Sequence, residues 1–329
     1  MPSPTPSDVR HDPLLSNVSV AYLQETTAFA AHRVFPRVPV AMSQGKYWHY
    51  PRGHFMRDDV GPRPLGGRVP QTSFAVEKLD YSIEEEGLSS TLDDRERANA
   101  TPPYDPERAR VRLLTQKILI HRERAWASAF FRTGVWSTDR TGVSTNPDVN
   151  AGQFLQFDQS NSDPIGLFQQ YIDRVASSTG FEPNRLVLGR DTWRVIRNHE
   201  DVIDRIKHTQ RGVATRDIFA ALVGVDEVLV PGGVYNASPE GVTDNIDWII
   251  NPKGALLVYA ASEPSIDAPS GGYTFSWTGL LGEGEDAVEV PVMRARFGPE
   301  HSDWFEVRIA HQQKLVAADL GVFFDDCVA

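Results

Sequence analysis

Apolar positions along the chain change period several times, and each change marks an expected element. Over 17–38, NVSVAYLQETTAFAAHRVFPRV, the residues Val20, Leu23, Thr27 and Ala31 recur at helical spacing until Pro36. Over 46–87 the pattern becomes alternation at the ends, in Phe74, Val76 and Leu79 and then Tyr81 and Ile83, around a middle of Gly, Pro and Arg. That predicts a two-stranded extension with a protruding tip. A lone hairpin is marginal in water, so the arm needs a surface to lie on, in its own body or a neighbour's. The clearest helix covers 105–131: Asp105 caps it, Pro106 suits its first position and Glu107 favours its first turn. Val111, Leu114, Ile118, Ala125 and Ala129 form its apolar stripe, flanked by Leu119, Trp126 and Phe130. At about 1.5 Å per residue it is about 40 Å long, a spine suited to an elongated body.

A polar loop is expected over 132–162, then a compact α/β region over roughly 163–262. Asp163-Pro164 opens a helix with Ile165, Phe168, Ile172 and Val175 inward, stopped by Gly180. A strand at 185–189 follows, then short helices opened by Asp191, by Glu200-Asp201 and by Thr215, and strands at 226–230, 246–250 and 255–260. From 273 the tail is strand-rich, at 273–278, 288–297, 304–310 and 313–324. The spine precedes the compact region and these strands follow it, so a body built from both is discontinuous in sequence.

Length and charge narrow the class. A chain of 329 residues with 40% apolar and 23% charged residues buries a sizeable core. A net charge of −11 argues against broad coating of nucleic acid or membrane, though a local basic face survives it. The spine carries one, in Arg108, Arg110, Arg112, Lys117, Arg122 and Arg124. The single cysteine, Cys327, excludes an internal disulfide framework. The start has no basic stretch followed by an apolar run, which reads as no secretory signal. The most apolar window, 254–261, is far short of the roughly 20 residues that span a bilayer.

Candidate chemistry does not converge. The segment 198-NHEDVIDRIKHTQRG-212 concentrates ionisable groups, yet His199 and His208 are nine residues apart and face opposite sides of a continuous helix. Position 203 is Ile203, so no H-E-x-x-H zinc motif forms. Val202, Ile203 and Ile206 read as the buried side of this helix. His49, His54 and His301 lack a ligand pattern, and the acidic runs Glu84-Glu85-Glu86 and Asp93-Asp94 read as solvated or paired with Arg95 and Arg97. P-loop, G-x-S-x-G and G-x-G-x-x-G motifs are absent from the sequence. Arms, a spine and a strand-rich close without convergent chemistry favour an assembly protein over an enzyme, with no cofactor and no metal expected.

Three stretches in order carry a resemblance. The first, 81-YSIEEEGLSSTLDDRERANATPPYDPERARVRLLTQKILIHRERAWASAFF-131, leads from an extended loop into the spine. The second is 183-PNRLVLGRDTWRVIRNHEDVIDRIKHTQRGVATRDIFAALVGVDEVLV-230. The third runs from 272-GYTFSWTG-279 to 319-DLGVFF-324. Together they resemble the major capsid proteins of tailed bacteriophages, the Hong Kong 97-type family, over about residues 15 to 326.

The resemblance implies an α+β fold divided into an N-terminal arm and short helix (1–45), an extended loop (46–80), a peripheral domain with the spine (81–162), an axial domain (163–262) and a strand return into the peripheral domain (263–329). It implies a structural protein that self-assembles, as pentamers and hexamers, into an icosahedral virion shell around double-stranded DNA. Assembly is expected in the host bacterial cytoplasm, with a separate scaffolding protein, a portal and a decoration protein as partners and no membrane. Intersubunit contact is expected from Arg57, Arg63 and Arg68 on the loop and from Asp201, Asp204, Arg205, Lys207 and Arg211 in the axial domain. Non-specific inner-face contact with DNA or scaffold is expected from Arg108, Arg112, Lys117 and Arg122. No lysine stands between Lys46 and Lys78, which speaks against the loop-lysine crosslinking of some members. An encapsulin-like compartment shares the fold and is the alternative; a metal-dependent hydrolase on the α/β region is a third.

Overall fold

The computed structural model describes residues 24–49, 53, 56–63, 65–73, 76–100, 104–207, 214–263, 269–281, 292–297 and 300–329. The expectations placed on Val20, Leu23 and Phe74 fall outside these residues. Within them the 17–38 pattern is not one helix. Helix α1 (Ala31–Val34) is a single turn, and Phe35, extended ahead of Pro36 as pre-proline residues prefer, leads into strand β1 (Arg37–Val40). Thr27 sits in a separate short 3-10 turn with no buried residue.

Strands β2 (Gln44–His49) and β3 (Glu77–Ser82) form the expected antiparallel extension, in register from Gln44↔Ser82 to His49↔Glu77. It lies on its own body: Tyr81 stacks on Phe275 with ring centroids 4.9 Å apart, and Tyr47 meets the same ring at 5.3 Å. Next come β4 (Glu85–Asp93), α2 (Asp94–Asn99) and the spine α3 (Pro106–Phe130). Asp105 accepts from the amides of Glu107 and Arg108, and Pro106 stands in the first turn, as the sequence leads one to expect.

The stretch 132–162 is no plain loop, because β5 (Thr138–Val143) and β6 (Gln153–Leu155) lie in it. Helix α4 (Pro164–Thr179) is capped by Asp163 and closed by left-handed Gly180, with Ile165, Phe168, Ile172 and Val175 buried. Strand β7 (Arg185–Leu188) leads into α5 (Arg190–Ile196), whose N-cap is Gly189 rather than Asp191. The Asp191 and Thr192 amides donate to the Pro252 carbonyl, so the helix start is satisfied by backbone and needs no side-chain cap. Helices α6 (Glu200–Ile206) and α7 (Arg216–Val223) follow, the latter capped by Thr215. Then come β8 (Glu227–Leu229), the hairpin β9 (Val234–Asn236) and β10 (Ile246–Trp248), and β11 (Ala255–Val258). The tail holds β12 (Gly272–Trp277), α8 (Thr278–Leu281), β13 (Val292–Phe297), β14 (Ser302–Leu315) and β15 (Gly321–Asp325). The expected strands at 304–310 and 313–324 are divided differently: β14 is one strand of 14 residues, and the break comes at 316–320.

Two sheets organise these strands. In the first, β14 pairs with β4 from Ser302 to Ala310 and with β13 from Ser302 to Val307, then with β12, beyond which β1 runs parallel. The second has the order β6-β5-β15-β11-β7-β8. The closing strand β15 thus leaves the sheet of β12–β14 and lies between β11 and β5 of the second sheet. Alternation assigns its faces. Leu186, Leu188, Leu257, Val322 and Phe324 join the core beneath α4–α7, while Val187, Leu256, Val258 and Phe323 face the spine.

The spine serves both sheets. Leu114 and Ile118 pack on Leu92, Phe305, Val307 and Ile309 of the first, whereas Trp126 and Phe130 pack in the core that holds Val187, Leu256 and Phe323 of the second. At about 100° per residue these two contact zones lie about 120° apart around the helix. The buried stripe therefore wraps, and the expected stripe is corrected on this point: Ala125 and Ala129 are exposed, while Arg122, Glu123 and Ala127 are covered.

Candidate assembly surfaces

On the extension, Arg57, Arg63 and Arg68 are exposed, as are Val60 (92% exposed), Leu65 and Val69. Arg63 donates to the Gly67 carbonyl at 2.7 Å and so shapes the tip itself. A tip that exposes apolar side chains among charges of both signs, Arg57, Arg63 and Arg68 with Asp58 and Asp59, is suited to contact with another molecule.

Helix α6 presents Asp204, Arg205 and Lys207 outward, with Asp201 half-buried; Arg211 and His208 lie outside the described residues. Val202 and Ile206 are buried, but Ile203 is 48% exposed, which corrects its expected place on the inner side. His199 is the N-cap of this helix: its Nδ1 accepts from the Asp201 amide at 3.3 Å and its Nε2 lies 3.0 Å from the Ser162 Oγ. The histidine is a structural cap.

The basic spine divides in two. Arg108, Arg112 and Lys117 are exposed, although about 180° separates Arg108 from Lys117 around the helix, so they do not form one stripe. Arg108 pairs with Asp105 at 3.3 Å, and Arg110 with Glu96 at 2.5 Å. Arg122 is buried, which contradicts its expected contact with DNA or scaffold. It lies on the helix where the wrapped stripe has reached the second sheet, beside the buried Glu123. That carboxylate accepts from the amides of Ala30 and Ala31, at 2.7 Å in the shortest case, and closes the start of α1. Burial raises the Glu123 pKa against the pull of those amides and of Arg122, and burial lowers that of Arg122. His32 and His311 share this region, each lowered to about 4 by burial and then by the charge of Arg122. In sequence Arg122 belongs to the basic face, and only its adjacency to the opposite charge of Glu123, among Leu119, Trp126 and Phe130, signals otherwise.

A second knot joins α2, the spine's start and β13–β14. Asp303 is buried and paired with Arg97, with Arg294 at 2.6 Å and with Arg296 at 3.2 Å; Glu107 and Asp94 complete the charge balance. Hydrogen bonds from Arg97 and Arg294 hold the Asp303 carboxyl well below the usual carboxylate range. The acidic runs are likewise engaged: Glu85 with Arg308, Glu86 with His121, Asp93 as cap of α2.

A hollow of about 400 Å³ lies between the spine's end and the β9–β10 hairpin, lined by Arg124, Phe131, Arg132, Tyr235, Asn251 and Asp325 among others. Arg124 covers the Tyr235 ring, and no histidine lines the hollow. Among the described residues, no group of three His, Cys, Asp or Glu is placed to hold a metal, and no helix is long and apolar enough to cross a membrane. Cys327 is buried, which pushes its thiol up and away from reactivity.

The architecture of extension, two-body spine and six-stranded sheet has counterparts among solved structures. A phage-related protein from Bordetella bronchiseptica superposes with a TM-score of 0.66 at 21% identity, covering 97% of this chain and 98% of its own. The capsid of cyanophage P-SCSP1u gives 0.55 at 8% identity over 89% of this chain and 85% of its own. The fold is that of the tailed-phage capsid proteins. The same capsid fold brings in a holo-encapsulin complex from Synechococcus elongatus, at a TM-score of 0.50 and 11% identity, covering 97% of each chain. In sequence, the major capsid protein of Pseudomonas phage JBD67 is 23% identical over 323 residues, 97% of each chain. That of Burkholderia phage BcepMu is 23% identical over 242 residues, 71% of this chain and 72% of its own. No family model matches the chain. The α+β capsid architecture is thus the one that the resemblance implied.

Proposed function

We propose that the chain is a structural major capsid protein that self-assembles into an icosahedral shell around phage double-stranded DNA. The observation that carries this reading is the match, end to end, to a protein named major capsid protein, over 97% of both chains and within the matching fold. In this reading the chain works without catalysis, in the virion, after assembly in the bacterial cytoplasm. The β2–β3 extension and the arm before it reach neighbours, the body around the six-stranded sheet is the axial domain at five-fold and six-fold axes, and the sheet around β14 is the peripheral domain. The axial domain then takes β5, β6 and β15 in addition to residues 163–262. Arg57, Arg68, Asp204, Arg205 and Lys207 contact neighbouring copies, while Arg108, Arg112 and Lys117 supply weak contact with DNA or scaffold. A scaffolding protein, a portal and a decoration protein are the partners. Many modest contacts, repeated, hold such a shell through multivalency.

Negative-stain microscopy of the purified chain, alone and co-expressed with the scaffolding protein, is expected to show closed shells. Monomers that persist under both conditions sink the proposal. The encapsulin likeness favours a second reading, a compartment for protein cargo. Particles from the native source that hold an enzyme and no genome-length DNA would establish it.

A further inference from the structure

The chain enters the described residues along the edge of β9 that β10 leaves unpaired. The Gln24 side chain donates to the Val234 carbonyl at 2.7 Å, and its oxygen accepts from the Val234 amide at 2.8 Å, as a neighbouring strand would. Further on, the Ala28 carbonyl accepts from the Gly232 amide at 2.9 Å. From Ala28 back to Gln24 the chain thus passes from Gly232 to Val234, against the direction of β9. The same course brings the residues before Gln24 alongside Tyr235 and Asn236. Tyr235 is a wall of the hollow at the spine's end. Ala127, Phe131, Ile249 and Phe323 line it too, and they belong to the core that already receives Phe29. Its charges are of both signs, Arg124 and Arg132 against Asp325, so it selects neither an anion nor a cation. A neutral occupant with apolar side chains suits it.

We propose that residues 18–23 of the same chain, VSVAYL, continue along β9 as an added strand and seat alternate side chains in the hollow. Strand addition to an open edge draws affinity from backbone hydrogen bonds and specificity from pockets for every second side chain. The segment has that pattern: Val18, Val20 and Tyr22 stand at alternate positions, and none of the six residues is charged. At about 400 Å³ the hollow takes side chains rather than a second body. Gln24, held at Val234, keeps the segment at the mouth of the hollow. Such a short tether gives it an effective concentration on the order of millimolar, an advantage that a neighbour's segment lacks. Only residues 1–17 are then left to reach another copy. The docking goes beyond the shell reading and does not rest on it.

Two measurements on the purified full chain test this. Cys327 is buried, so the natural chain offers little background to cysteine crosslinking. Val20→Cys or Tyr22→Cys is paired in turn with Ser128→Cys or Thr133→Cys, two exposed positions that line the hollow. A disulfide needs Cα atoms within about 7 Å, so mild oxidation reports close approach. At least one of the four pairs is expected to join within a single chain, as monomer on a non-reducing gel. In hydrogen exchange, the amides of 19–23 are expected to be protected at least tenfold relative to a free peptide of the same sequence. Ser128→Trp, which fills the hollow, should abolish that protection, with thermal melts as the check on folding and Thr133→Trp as a second filling variant. Crosslinked dimers would assign the hollow to another copy's arm and overturn the proposal. So would the absence of a crosslink at all four pairs, exchange as fast as in the free peptide, or protection that both filling variants leave unchanged.

Discussion

Glu123 illustrates how far a single side chain can depart from its sequence context. It sits in a run of spine residues that alternates charge, yet its carboxylate is buried and accepts from two amides at the start of α1. Burial, and behind it the charge of its neighbour Arg122, depresses the two imidazoles of His32 and His311, and these give the region a pH signature. An imidazole with a folded pKa below its unfolded value binds fewer protons when folded, so its stabilising contribution is full above the unfolded value. It is lost as pH falls from 6.5 towards about 4 for His311. Both imidazoles are half-buried, so for each that loss is below about 3 kcal/mol after solvent screening. Glu123 acts in the opposite sense, since its raised pKa favours the folded state on acidification. His311→Gln removes one titrating group, so chemical denaturation should show a flatter fall in stability between pH 6.5 and pH 4 than the unaltered chain; an unchanged slope would exclude His311 as a source. None of this was legible in sequence, because Glu123 and its amide partners are 92 and 93 residues apart and no local pattern joins them.

At the scale of elements, legibility followed length and two-sided burial. The spine and α4 were readable from caps and period together, and β7 and β11 from unbroken apolar runs. Strands β5 and β6 were not. The sequence TDRTGV of β5 buries only Gly142, and β6 has three residues, so neither offers a period to detect. A helical period describes one straight stripe, and the sequence pattern cannot announce that a helix changes partner half-way. That change has a measurable consequence. Leu114→Ala removes a contact with the first sheet only, and is expected to cost about 2–5 kcal/mol. Hydrogen exchange should speed at β4 amides and leave β7 amides protected to their former degree, whereas equal loss in both would mean that the spine does not insulate the two cores.

For the whole molecule, the order of parts along the chain was legible, and the destination of the last strand was not, since nothing in GVFFD says which sheet receives it. The extension is tied to the body at its base. Its paired strands and the Tyr81–Phe275 stacking lie at its base, while Val60 and Leu65 at the tip touch solvent. Deleting 52–72 should therefore leave the melting of the protomer near that of the full chain, because shortening a loop changes closure entropy slowly. The same deletion is expected to prevent closed shells in negative-stain images, and normal shells would remove the tip from assembly.

Strands β14 and β15 are joined by a connection of only a few residues, and each is an inner member of its sheet. Extended, β14 alone is about 46 Å long. A force that draws the two bodies apart is therefore carried along the backbone of one continuous segment, gripped by ladders on both flanks at each end. Such a segment yields only if many hydrogen bonds give way together, not one at a time. Under outward pressure it acts as a tie rod, and the spine beside it as a strut.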